Sequence, residues 1–89
     1  MLKITVTRET AGAVHLSLDG KVAEQWAALL DGVCRSHLRK HQTVLLDCEH
    51  VEFVDVGGVE VLKNLPRREV KLVGAPNFMT QLLNDGDVP

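Results

Sequence analysis

Apolar and polar residues first alternate along this chain, then change period, and the changes of period mark out its elements. Leu2, Ile4 and Val6 alternate with Lys3, Thr5 and Thr7, the period of a half-buried strand. Turn residues Glu9-Thr10-Ala11-Gly12 follow. Val14, Leu16 and Leu18 then alternate with His15 and Ser17, which predicts a second strand pairing with the first as a hairpin and ending at Asp19-Gly20. Beyond it Val22, Trp26, Leu29, Leu30, Val33 and Leu38 fall on one helical stripe. They predict an amphipathic helix over about residues 21–40 with basic residues in its last turns. Thr43-Val44-Leu45-Leu46 is short and apolar on both faces, as in a central strand covered on both sides. Residues 47–55 are polar, with a second apolar alternation at Val51 and Phe53.

Asp55 can cap a helix over about 57–65 whose apolar positions are Val59, Val61, Leu62 and Leu65, with Pro66 stopping it. Val70-Lys71-Leu72-Val73 is another short strand, closed by Gly74. Pro76 opens a last helix over about 77–83 through Phe78, Met79, Leu82 and Leu83, and residues 84–89 have the character of a frayed tail. The order is β-β-α-β-α-β-α. Strands alternating with helices imply an α/β domain whose four-stranded sheet is mixed but mostly parallel, with helices packed against it and the first strand added antiparallel. Residues 1–89 are expected to form a single domain, since a chain of this length buries roughly 60% of its unfolded surface.

Composition removes several classes of function. With 45% apolar and 25% charged residues the chain is neither disordered nor fibrous. A net charge of −2 offers no footprint for nucleic acid. The basic groups Arg35, Arg39, Lys40 and Arg67, Arg68 suit helix C-termini better than a phosphate site. No run is long enough to insert into a membrane, and the first twenty residues lack the apolar core of a targeting segment, so the cytoplasm is the expected location. Cys34 and Cys48 lack metal-ligand spacing and read as packed free thiols.

Candidate chemistry is sparse. Asp47, Glu49, His50, Glu52 and Asp55 crowd the region after the central strand, where α/β sheets place their ligands. A small metal-dependent enzyme could draw carboxylates from this 47–55 cluster. Against that, there is no glycine-rich phosphate loop, and strand-end and capping roles account for Asp47 and Asp55. His15, His37, His41 and His50 show no paired ligand motif and read as surface histidines; no catalytic, cofactor-binding or metal residue is expected. Trp26 lies within the helical stripe and reads as core. Of Phe78 and Met79, one cannot fully face the core.

The segment from Thr43 to Leu62 resembles the signature of the STAS domain, shared by anti-sigma factor antagonists and sulfate-transporter tails. An apolar strand ends in Asp at Leu45-Leu46-Asp47, a valine–phenylalanine pair follows at Val51-Glu52-Phe53, and Asp55-Val56-Gly57-Gly58 stands where relatives open a helix with Asp-Ser-Ser-Gly or Asp-Thr-Ala-Gly. Leu18-Asp19-Gly20, residues 70–74 and Pro76-Asn77 resemble the family's remaining elements. The resemblance implies a non-enzymatic protein-binding module, similar to the anti-sigma factor antagonists, whose contact residues are Asp55, Val56, Gly57 and Gly58. Its implied partner is an anti-sigma kinase or related regulator. The alternative is an ATPase to which the chain docks as an accessory subunit of a lipid-transport ABC system. Kinase-regulated relatives carry a phosphorylatable Ser two residues after the Asp, where this chain has Gly57, and the position before it is Val56. With no hydroxyl in the loop, no phosphate can be attached there.

Overall fold

A computed structural model of the protein describes residues 1–84. The strands are β1 (Leu2–Glu9), β2 (Ala13–Val22), β3 (Thr43–Val54) and β4 (Val70–Val73); the helices are α1 (Gln25–Arg39), α2 (Val56–Asn64) and α3 (Asn77–Asn84). The sheet order is β1-β2-β3-β4, with β1 antiparallel to β2 and the other two pairings parallel. This is the expected element order and the expected mixed sheet, with β3 flanked on both sides. Asn84 closes α3, and the rest of the tail expected at 84–89 lies outside the described residues.

Two boundaries differ from the sequence reading. β2 does not end at Gly20 but runs on to Val22, so Val22 is a strand residue and α1 starts at Gln25, not near 21. The cause lies in β3, which does not stop at Leu46: its continuation supplies partners for Gly20, Lys21 and Val22 at Val51, Phe53 and Val54. Gly20 takes φ 116°, a conformation a side chain would resist, and a Cβ there would strike the Met1 carbonyl. The alternation of Val51 and Phe53 does not mark the buried face of the second half of β3, because Phe53 is turned out and that half is bulged twice. Between Asp47 and His50, and again between Val51 and Phe53, it carries one residue more than β2 opposite. Its buried positions therefore fall three apart, at Cys48, Val51 and Val54.

The expectation that the third strand is covered on both faces is also corrected. Val14, Leu16 and Leu18 of β2 and Val44, Leu46 and Cys48 of β3 are buried on one face; His15, Ser17, Leu45 and Asp47 between them are only half-buried. All three helices lie on the buried face, α1 over β2 and β3, α2 beside α1, and α3 against α2. Arg35 ties α1 to α2, pairing with Asp31 at 3.1 Å and reaching the Asn64 carbonyl at 3.5 Å. Met79 is wholly buried while Phe78 is 37% exposed, and Trp26 packs half-buried against the core.

His37 departs from the reading of surface histidines. It is buried in a polar chain with Gln42, whose Oε1 lies 2.8 Å from His37 Nδ1; an amide oxygen only accepts, so Nδ1 carries the proton. Gln42 Nε2 donates in turn to Glu9 Oε2 at 2.9 Å and to the Thr10 carbonyl at 2.8 Å. This chain anchors the end of α1 to the β1–β2 turn, at the opposite end of β2 and β3 from Asp55. No helix among the described residues is long and apolar enough to cross a membrane.

Candidate functional site

β2 and β3 run parallel and finish together, and both α1 and α2 begin where they finish. Asp55 is the residue that joins the two helix starts. It sits at the N-cap of α2 with extended backbone, and its Oδ1 accepts from the Gly58 amide at 2.7 Å. Its Oδ2 accepts from the amide of Glu24, the residue before α1, at 3.0 Å. Its own amide donates to the Val22 carbonyl at 3.2 Å. The Gly58 amide, then the Glu24 amide, hold the Asp55 carboxyl below the usual aspartate range, because both bonds favour the charged form.

Of the four residues expected to make the contact, the structure turns three outward to different degrees and one inward. Val56 is 78% exposed, a large apolar side chain standing in solvent on the first turn of α2. Gly57 is exposed too, and a Cβ there would meet nothing nearer than Asp55 Oδ1 at 3.5 Å, an ordinary contact. Asp55 is half-buried under its hydrogen bonds. Gly58 is buried: a Cβ would overlap the Val22 carbonyl oxygen and approach Val54 Cγ1 to 2.9 Å. Gly58 thus lets α2 sit directly on the ends of β2 and β3, and presents the residues before it.

Two further exposed residues lie close to this helix start, Glu24 by its bond to Asp55 and Phe53 two residues before it. Glu24 has φ 56° and ψ −135°, a backbone conformation that favours glycine. It occupies the second position of a turn closed by the Trp26 amide on the Ala23 carbonyl at 3.0 Å. Glu24 falls inside the helix expected over about 21–40 and no local motif marks it, since its partner is Asp55, 31 residues away. Phe53 is 48% exposed because the bulge before it turns it out of the core.

The other groups singled out by sequence do not gather here. Asp47 Oδ1 accepts from the Glu49 amide at 3.0 Å, a backbone bond as expected, but at a bulge in mid-strand and not at a strand end. Glu49 and Glu52 are exposed along the bulged strand, and among the described residues no three His, Cys, Asp or Glu side chains converge as metal ligands would. Cys34 and Cys48 are fully buried; burial is the main cause that pushes their thiols up to about 11 and about 12. Both stay protonated and unreactive near neutral pH.

No curated protein matches this sequence. A solved structure, "Structure of the Anti-Sigma Factor Antagonist SpoIIAA in its Unphosphorylated Form", superposes with a TM-score of 0.72 at 15% identity, covering 92% of this chain and 82% of that chain. At that identity the likeness establishes the fold. The sequence match is more extensive: residues 5–88 fit the family model described as "Mlab, STAS domain", and the chain belongs to that STAS family.

Proposed function

We propose that the protein is a non-enzymatic binding module whose contact surface is the start of α2, with Val56 and Gly57 meeting the partner, Asp55 fixing them and Gly58 seating them. The observation that carries this reading is the exposure of Val56, 78%, beside an open Gly57, on a helix start held rigidly by Asp55. A large apolar side chain in that position is stabilising only when something covers it. The chemistry built here is recognition, since the loop carries neither nucleophile nor converging acid and base.

Of the two partner classes that the STAS resemblance implies, the sequence favours the transporter ATPase over the anti-sigma kinase. A kinase that acts on this loop needs a hydroxyl, and residues 55–58 have none. The matching family is described for Mlab, not for an anti-sigma antagonist, so that match does not favour the kinase either. The module is then held in one state at this loop, equivalent to a form that is never phosphorylated, in the cytoplasm where both partner classes act.

The test is binding of purified candidate ATPase and candidate kinase to wild type, Gly57→Asp and Gly57→Ser. The open surroundings of Gly57 predict that both variants fold; an acid in the first turn of a helix is even favoured, by about 0.3–1 kcal/mol. Gly57→Asp is expected to lose at least roughly tenfold in affinity, about 1.4 kcal/mol, and Gly57→Ser to bind nearly as wild type. A folded Gly57→Asp protein with unchanged affinity removes the proposed surface.

A further inference from the structure

We propose that the segment received at Val56 is apolar at its centre and basic at its flanks, an inference that rests on the surface proposed above and assigns its partner's chemistry. The argument begins with topology. Because β2 and β3 end where α1 and α2 begin, acids scattered through the sequence come to one end of the molecule. Asp19, Glu24, Glu49, Glu52, Asp55 and Glu60 stand there against Lys3 and Lys21. Arg8, Arg39, Lys40, Arg67 and Arg68 lie at the opposite end, together with the acids Glu9 and Glu69. A chain with a net charge of only −2 is therefore polarised along its strands. Each of the two helix N-termini contributes about half a positive charge at the acidic end, too little to cancel the carboxylates.

Glu24 and Glu60 stand near Val56, while Phe53 has Glu52 before it and Lys21 as its partner across the ladder. Glu60 is one turn after Val56 and shares its face of α2. Glu24 is tied by its backbone to Asp55, the neighbour of Val56, and Glu52 precedes the exposed Phe53. Among the described residues none of the carboxylates of Glu24, Glu52 and Glu60 is engaged in an ion pair, and all three residues are exposed. An uncovered valine with unpaired acids around it has the form of an interface with an apolar centre and a charged rim. The rim sets the sign of the partner, because like charges brought together there are repelled and opposite charges are steered in.

The experiment uses two synthetic amphipathic helical peptides with the same leucine face, one flanked by Lys and Arg and the other by Glu. Binding to the full chain is mapped by amide chemical shifts at about 0.05 M and about 0.5 M salt. The basic peptide is expected to shift Val56, Gly57 and Glu60 and to bind at least roughly tenfold more tightly than the acidic one at low salt. That advantage should shrink at high salt. Glu24→Lys/Glu60→Lys should reverse the preference, with its melting temperature reporting that it is folded. Val56→Ser should weaken the basic peptide at both salt concentrations, since its contribution is burial and not charge. Equal binding of both peptides at residues 55–60 overturns the basic partner while leaving the surface in place. Shifts confined to another face, or no binding by either peptide, overturn the surface and the partner together.

Discussion

Adjacent glycines in α2 provide a test of opposite signs within one turn of helix. Alanine in place of a helical glycine gains about 0.8–1 kcal/mol from backbone entropy alone. At Gly57 nothing opposes that gain, since the added Cβ finds ordinary contact at 3.5 Å. Gly57→Ala should therefore stabilise by about 0.5–1 kcal/mol. At Gly58 the same methyl is driven into the Val22 carbonyl oxygen and Val54 Cγ1. The obstacle is backbone of a central strand, and that carbonyl also accepts the Asp55 amide, so α2 can move away only by giving up the bond. Overpacking costs about 1–3 kcal/mol and the lost hydrogen bond about 1 more, against the propensity gain of about 1. The net is a loss of about 2 kcal/mol, or a fall of about 8–16 °C in melting temperature for a domain of this size. Urea unfolding and thermal melts of the two variants measure it directly. A Gly58→Ala protein as stable as wild type would refute the close seating of α2 on β2, and with it the account of how Val56 is presented.

Four further outcomes follow from the same geometry. Asp55, with its folded pKa below the ordinary 3.8, contributes stability that is present above that value and lost as pH falls through the folded one. Acid melts of Asp55→Asn should therefore show a shallower fall below about pH 4 than wild type, and an identical slope refutes the double acceptance by its carboxylate. Glu24→Gly places the residue that φ 56° favours, and should leave stability unchanged or raise it by up to about 1 kcal/mol despite the greater freedom of the unfolded chain; a clear loss argues against the turn. Gln42→Ala leaves the buried His37 Nδ1–H and the Thr10 carbonyl without their partner and should cost about 1–3 kcal/mol in urea unfolding. With thiols pushed up to about 11 and about 12, Cys34 and Cys48 favour folding below about pH 9 and lose that contribution as pH rises towards those values. At pH 8 a thiol reagent should label them only as fast as the protein opens, and rapid labelling in the absence of urea would contradict their burial.

How much of this could be read from the sequence depended on where each residue's partners lay. The hairpin, the last strand and all three helices announced themselves through periods set by one buried face, and Asp55 through its capping chemistry, which is local. The strand boundaries were not legible, because they depend on pairing over distance. Residues 47–55 were read as polar with an alternation at Val51 and Phe53, whereas two bulges set the buried positions three apart, and a bulge is defined only against the opposite strand. Once β3 was cut short, β2 had no partner beyond Gly20 and Val22 was drawn into the helical stripe, so one missed pairing produced both boundary errors. Leu45 suggested a strand covered on two faces, although the helices cover one. A single apolar residue on the outer face was given more weight than the polar Asp47 beside it.

The candidate site divides in the same way. Asp55, Val56, Gly57 and Gly58 were found as a contiguous motif, but the motif gave the two glycines one role and the structure gives them two. Their difference is not in the glycines. It is in Val22, which lies 36 residues upstream of Gly58 and whose carbonyl fills the space beside one Cα and not the other. Glu24 belongs to the surface for a similar reason: the carboxylate that caps α2 has a second oxygen, and the nearest donor free to use it is the amide that opens α1. One aspartate thereby couples the starts of both helices, so a group that pushes on Val56 or Gly57 also pushes on Glu24. On the surface proposed above, residues already held by these two bonds would lose less entropy on binding. A docking module of the kind proposed, with no hydroxyl to phosphorylate at this loop, would keep its affinity by already having the shape that the partner meets.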